Sequence, residues 1–266
     1  MFGKELIMWK WVSSSPKAAI VIIHGALEHH GRYKWLIKKW QTNGYHVVMG
    51  DLPGQGNSSS RRGHVQSFDE YIDEVDRWIR EAQSFQLPLF LLGHSMGGLI
   101  AIRTLQRNKI PLNGVILSSP CLGILQKPSK ALDLLAKGLN IFAPRVRFDS
   151  GLTVEMATRN KEIQDINRND SLYVRKVSVR WYRELLHAIE LAFQQLPQFP
   201  DVPLFVMQGG EDKIVDKSAV QKWYSQLNLT EKSYKEWEGL YHEIFNEPER
   251  ELVFQDALRF TESHLT

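Results

Sequence analysis

Residues 93–97 read Gly93-His94-Ser95-Met96-Gly97, a serine between two glycines at the spacing of a nucleophile elbow. In that pattern the glycines let the chain turn sharply from a strand into a helix, so the serine hydroxyl stands clear of the backbone. Composition alone would put the bare string in roughly one chain in ten of this make-up, so its flanks decide the reading. The apolar run Leu87–Leu92 leads straight into it, and an apolar stretch with helical spacing leads out from Met96. A structural serine in a tight glycine turn would need neither flank.

A serine hydroxyl is a weak nucleophile near neutral pH and needs an adjacent base, itself oriented by a third group. Chains with this elbow supply the partners in the order serine, acid, histidine, each on a loop after a later strand. Asp212 follows the apolar run Leu204–Met207, in Gly209-Gly210-Glu211-Asp212, and His242 follows a strand-like run ending near Trp237. Glu211 and Asp216 compete for the place of the acid. His264 competes for that of the base but lies two residues from the end, where chains fray. His187 sits in a helical stretch and reads as helix surface. An oxyanion would need two N–H donors. One is Met96, the residue after the serine; the other is Ala26, where the adjacent Gly25 permits close approach.

These residues need a scaffold, and the chain alternates short apolar runs with helical patterns, which predicts a mostly parallel sheet wrapped by helices. Strands are expected at Ala18–Ile23, Tyr45–Gly50, Leu87–Leu92, from Gly114 to Leu117, Leu204–Met207 and near Ser233–Trp237. Helices are expected at Tyr33–Asn43, from Ser67 with Glu70 as its capping-box partner, over Leu99–Leu105, near Ser218–Leu227, and from about Pro248. The alternation breaks over residues 120–202, a stretch of 83 residues where a crossover needs about a dozen or more. Within it Val174, Val177, Trp181, Leu185, Ile189, Ala192 and Leu196 form one helical stripe, and Leu132, Leu135, Leu139 and Phe142 a shorter one. The expected organisation is an α/β core of residues 1–119 and 203–266 with a helical cap insertion at 120–202.

Three motifs together carry a more specific likeness. His24-Gly25-Ala26-Leu27-Glu28-His29-His30-Gly31-Arg32-Tyr33, then Asp51-Leu52-Pro53-Gly54-Gln55-Gly56-Asn57-Ser58, then Gly93-His94-Ser95-Met96-Gly97-Gly98 resemble the monoacylglycerol lipase and lysophospholipase group of serine α/β-hydrolases, often labelled serine-aminopeptidase-like. The resemblance spans roughly Ala18–Ser119 and Leu204–Glu243. It implies an α/β-hydrolase fold, a triad of Ser95, Asp212 and His242, and oxyanion donors Ala26 and Met96. It also implies a cofactor-free serine hydrolase that cleaves carboxylic esters, with a single-chain lipid such as a lysophospholipid or monoacylglycerol as the small-molecule substrate. A carboxylesterase, thioesterase or peptidase of the same fold is the alternative, since a triad does not select its leaving group. Two positions depart from the family pattern: Gln55 stands where His is frequent, and Leu27 stands where Gly is common and narrows the acyl entrance. A non-catalytic relic of the fold would be expected to have lost one of the three triad residues.

The remaining signals narrow the field. The chain has 266 residues, 43% of them hydrophobic and 24% charged, an ordinary balance for one sizeable globular core. A net charge of +3 makes no case for nucleic acid. Apolar runs reach about six residues where a membrane span needs about 20. Lys4, Glu5 and Lys10 beside Trp9 and Trp11 do not resemble a signal peptide, and Cys121 is the single cysteine, so a cytoplasmic address without disulfides is expected. Gly54-x-Gly56 lacks the Gly-Lys-Ser/Thr of a phosphate loop, and His24, Glu28, His29 and His30 lack metal-ligand spacing, so no metal is expected. Cys121 reads as a small buried hydrophobe near the edge of the sheet. Arg32 to Trp40 is a basic, aromatic helix, read as a solvated face over buried aromatics, with transient membrane-surface contact as the second reading.

Overall fold

The computed structural model describes residues 8–126 and 130–265. In chain order the elements are β1 (Met8–Trp11), β2 (Ala18–Ile23), α1 (Lys34–Thr42), β3 (Tyr45–Gly50), α2 (Asp69–Gln83), β4 (Leu89–His94), α3 (Met96–Arg107) and β5 (Gly114–Ser118). Then come α4 (Lys130–Phe142), β6 (Arg147–Asp149), α5 (Val154–Ala157), α6 (Lys161–Arg168), β7 (Lys176–Ser178) and α7 (Val179–Gln194). The chain closes with β8 (Leu204–Gly209), α8 (Lys217–Gln226), β9 (Lys232–Trp237) and α9 (Arg250–Glu262).

Seven strands form one sheet in the order β1-β3-β2-β4-β5-β8-β9, parallel except for β1, which pairs antiparallel with β3. A parallel sheet covered on both faces must be apolar on both, which is why β2 reads Ala-Ala-Ile-Val-Ile-Ile without a break. Its Ala19, Val21 and Ile23 face α2, α3, α7 and α8, while Ala18, Ile20 and Ile22 face α1 and α9. Trp40 and Trp78 are fully buried, one on each side. The aromatic face of α1 is thus core: Trp40 packs on Tyr45 and Phe254, and Lys39 pairs with Glu251.

Several boundaries differ from the sequence expectation for physical reasons. The third expected strand is shifted to Leu89–His94. The helix expected from Ser67 begins at Asp69; Ser67 Oγ accepts the Asp69 N–H at 3.2 Å, and Glu70 reaches back to the Gln66 N–H rather than to Ser67. The stripe begun at Val174 is helical only from Val179. Val177 lies in β7, paired antiparallel with β6 in a separate two-stranded ribbon, and Ser178 caps α7 by accepting the Trp181 N–H. Leu196 falls in a short 3-10 turn with Pro197. Helix α4 spans the expected residues, but Phe142 is 88% exposed rather than buried; the side chains of Leu132 and Leu135 lie outside the described residues, as do Lys4 and Glu5. Cys121 is buried after β5, an interior strand, and not near the sheet's edge.

The stretch between β5 and β8 lies across the carboxyl ends of the strands. Val174 N–H donates to Leu27 O at 3.0 Å, His29 bonds Asp170 at 2.7 Å, and Glu243 N–H donates to Ala157 O at 2.8 Å. The last turns of α7 pack on α3, where Gln106 Nε2 donates to Ala192 O at 2.9 Å. Among the described residues no helix is long and apolar enough to cross a membrane.

Candidate active site

Strand β4 ends at His94 and α3 begins at Met96, leaving Ser95 alone at the bend with φ 54° and ψ −119°. A non-glycine residue at positive φ is held there only by its surroundings. Here the Ser95 N–H donates to Ser118 O and the Ser95 carbonyl accepts the Cys121 N–H, both at 2.9 Å. The bend packs tightly enough to need its second glycine: a Cβ on Gly97 would stand 2.1 Å from Ile23 O. The loop after β2 also approaches the bend, since a Cβ on Gly25 would lie 3.2 Å from Ser95 Cβ.

Ser95 Oγ lies 2.8 Å from His242 Nε2, and His242 Nδ1 lies 2.8 Å from Asp212 Oδ2. Asp212 is fixed by four donors: Ile214 and Val215 N–H on Oδ1, and Gln208 Nε2 and His242 on Oδ2. Burial alone would raise its pKa, but the adjacent His242 and these donors hold it below the ordinary carboxylate value. Burial would likewise lower His242, but the charge and hydrogen bond of Asp212, with the nearby Glu243 and Glu28, together outweigh it and leave the imidazole above its ordinary value. With Asp212 ionised, Nδ1 carries the proton that bonds it, so Nε2 is free to accept from Ser95.

The structure brings the five expected residues to one place and engages their competitors elsewhere or leaves them at the surface. Glu211 is exposed, and Asp216 caps α8 by accepting the Ser218 N–H. His264 bonds Glu231 at 2.7 Å, and His187 is exposed on α7 beside Glu190. Met96 opens α3, so its N–H has no intrahelical acceptor and points from the positive end of the helix dipole. Among the described residues the Ala26 N–H also has no acceptor.

Two recesses meet at Ser95, sharing Ala26, Leu152 and Ile214 as walls. The larger, about 580 Å³, is apolar, with Met96, Cys121, Leu139, Val177, Trp181 and Leu185 in its lining. The smaller, about 30 Å³, runs past His242 to Glu28, Arg32, Tyr173 and Glu243. Sequence reasoning missed this second lining. Arg32 is 5% exposed and spends its donors on Glu28 at 2.9 Å, Glu243 at 2.8 Å and Asn167 at 3.1 Å. Burial pushes the Glu28 carboxyl up, but Arg32, His94, the Tyr33 hydroxyl and His24 together outweigh it and the pKa falls to about 2. The one available signal was a glutamate directly after His242.

The motifs read as neither phosphate loop nor metal site have structural work. Gly54 and Gly56 adopt positive φ, and a Cβ on Gly56 would collide with Asp51 Oδ2, which accepts the Asn57 N–H. His24 Nε2 accepts the Leu52 N–H at 3.0 Å, tying the loop after β2 to that after β3. His29, His30 and Asp51 do bring ligand-type atoms within 4.8 Å of one another. Their atoms are engaged internally: His29 Nδ1 accepts the Gly31 N–H, its Nε2 bonds Asp170, and His30 Nδ1 bonds Asp51.

Comparison with known proteins agrees with this architecture. The family model described as serine aminopeptidase, S33, matches residues 14–249. The chain is 60% identical to the phospholipase YtpA of Bacillus subtilis over 97% of its own length and all of that protein. It is 33% identical to human monoglyceride lipase, covering 92% of this chain and 82% of the relative. The crystal structure of a monoacylglycerol lipase from Paleococcus ferrophilus superposes with a TM-score of 0.87 at 29% identity, covering 97% and 99% of the two chains. The chain belongs to the serine aminopeptidase S33 family. Its sheet, crossovers and elbow are those of an α/β-hydrolase, and in this family member Leu27 lines the larger recess.

Proposed function

We propose that this α/β-hydrolase cleaves carboxylic esters of single-chain lipids through an acyl-enzyme on Ser95. The observation that carries the reading is the Ser95–His242–Asp212 relay, at 2.8 Å per step, set where an apolar recess meets a small polar one. Names of relatives, a phospholipase and a monoglyceride lipase, support a lipid ester as substrate.

In this reading the acyl chain lies in the larger recess and the alcohol faces the smaller. Ser95 Oγ attacks the ester carbonyl while His242 Nε2 takes its proton, and Asp212 stabilises the imidazolium through Nδ1–H. Negative charge on the carbonyl oxygen meets the Ala26 and Met96 N–H groups. Collapse breaks the ester C–O bond, and the alcohol leaves with the proton from His242. Water, deprotonated by His242, then attacks the acyl carbon and releases the fatty acid and Ser95. Each buried methylene contributes about 0.8 kcal/mol, so the apolar recess favours medium and long chains over acetate.

An aminopeptidase would need a free carboxylate to meet a substrate ammonium. Glu28 and Glu243 are both committed to Arg32, which favours the ester reading. The 120–202 stretch acts as the cap that shapes the pocket. Transient contact with a lipid surface belongs to the same proposal: exposed Ile141, Phe142 and Val146 lie beside Arg145 and Arg147 near the mouth of the larger recess. So does a cytoplasmic setting, inferred from the single unpaired Cys121. The test is turnover by purified protein on single-chain esters differing in headgroup, with Ser95→Ala as the blank. Turnover that persists in Ser95→Ala would refute the assignment.

A further inference from the structure

Leu27 follows the proposed donor Ala26 and holds φ at +70°, the left-handed region that a leucine rarely adopts. Its side chain is 1% exposed and forms part of the wall of the apolar recess. Its carbonyl accepts the Val174 N–H at 3.0 Å, from the stretch that covers the site. One residue therefore touches the oxyanion loop through the chain, the acyl recess through its side chain, and the covering stretch through its carbonyl. A leucine there lies above its ordinary backbone energy, so contacts on its side chain bear on how firmly the loop is held.

We propose that Leu27 is a positioning residue that makes the oxyanion loop depend on the acyl chain. The inference rests on the reading of Ala26 as donor and of the apolar recess as acyl site. A medium or long chain packs against the Leu27 side chain and holds the left-handed backbone that aims the Ala26 N–H at the reacting oxygen. A short acyl group reaches little beyond Ser95 and leaves that wall unsupported, so the loop relaxes toward ordinary φ and the donor is withdrawn for part of the time. Binding energy remote from the reacting bond is then used at the reacting centre, which affects kcat as well as KM. A residue that merely walls the recess would change KM alone.

The test is kcat and KM measured separately for p-nitrophenyl esters from butyrate to laurate, in the wild type, Leu27→Gly and Leu185→Ala. Glycine adopts the left-handed region freely and offers the chain no handle. The expected result is a wild-type kcat that rises at least tenfold from butyrate to laurate and a ratio near one in Leu27→Gly, whose KM still falls with chain length. Leu185→Ala, a wall of the same recess, should raise KM for laurate and keep the wild-type kcat ratio. Leu27→Asn, which also tolerates left-handed backbone, repeats the test if the glycine variant does not fold. A wild-type kcat independent of chain length, or an unchanged kcat ratio in Leu27→Gly, overturns the proposal. If Ser95 in those same preparations is labelled by a fluorophosphonate, the function itself stands and only the role of Leu27 fails. Unlabelled Ser95 with no turnover overturns both.

Discussion

His242 Nε2 lies 2.8 Å from Ser95 Oγ although the two residues are 147 positions apart and follow β9 and β4, strands with β5 and β8 between them. A parallel sheet makes this meeting possible, because the strands' carboxyl ends share one edge and the loops that leave them converge there. The distance is that of a hydrogen bond through which a proton can pass.

The relay predicts how its variants rank. Ser95→Ala and His242→Ala should each lose at least about 10³-fold in kcat, and the double variant little more, because the two act as one unit. Asp212→Asn should fold normally and fall by a smaller but still large factor. His264→Ala, at the far side of the core, should be close to silent. Crippling loss in Glu211→Gln or Asp216→Asn instead would move the acid elsewhere.

The pH profile follows from the Asp212–His242 contact. The base works only when neutral, so kcat/KM should rise with pH through the pKa of His242 in the free enzyme. That pKa is raised by Asp212, so the midpoint should lie above the ordinary value of about 6.5. In Asp212→Asn the raising charge is gone and burial remains, so the midpoint of the residual activity should move down. A midpoint that does not respond to Asp212→Asn would show that another group titrates.

Arg32 offers a stability test away from the reacting atoms. It is buried between Glu28 and Glu243, and Arg32→Met would leave both carboxylates without their cation at a cost of about 3–5 kcal/mol. The sign with pH follows from Glu28, whose folded pKa of about 2 lies below its ordinary 4.5. Its contribution is present above about 4.5 and is lost as pH falls toward 2. The deficit of Arg32→Met, measured by urea unfolding, should therefore be largest near neutral pH and shrink on acidification. A deficit independent of pH would mean that packing, not charge, is what Arg32 supplies.

Much of this site is legible in the chain because the chemistry restricts where each part can stand. The elbow is visible because β4 is apolar on both faces, and Asp212 and His242 because each follows a strand of the same sheet. Strand β1 is not visible, since three half-exposed residues and the exposed Lys10 become a strand only by pairing with β3. The β6–β7 ribbon has three residues per strand, and Val174 and Val177 mimic a helical step that the Ser178 cap ends. In the Glu28–Arg32–Glu243 cluster the Arg32–Glu243 pair joins residues 211 apart, and no local pattern encodes such a contact.

The apolar recess predicts a chain-length profile. On glycerol monoesters, kcat/KM should climb from acetate to laurate by far more than tenfold, since each buried methylene contributes about 0.8 kcal/mol. Two-chain phospholipids should be poorer substrates than their one-chain counterparts, because of the two recesses described at Ser95 the larger, about 580 Å³, has room for an acyl chain and the smaller, about 30 Å³, does not. A flat profile would contradict the assignment of that recess to the acyl chain.

The central claim is that Ser95 forms the covalent acyl-enzyme, and an active-site-directed fluorophosphonate tests it most directly. Intact mass should show a single adduct, peptide mapping should place it on Ser95, and activity should disappear in proportion to labelling. Ser95→Ala should take up no label and have lost turnover. An adduct on another serine, or wild-type turnover in Ser95→Ala, would contradict the account.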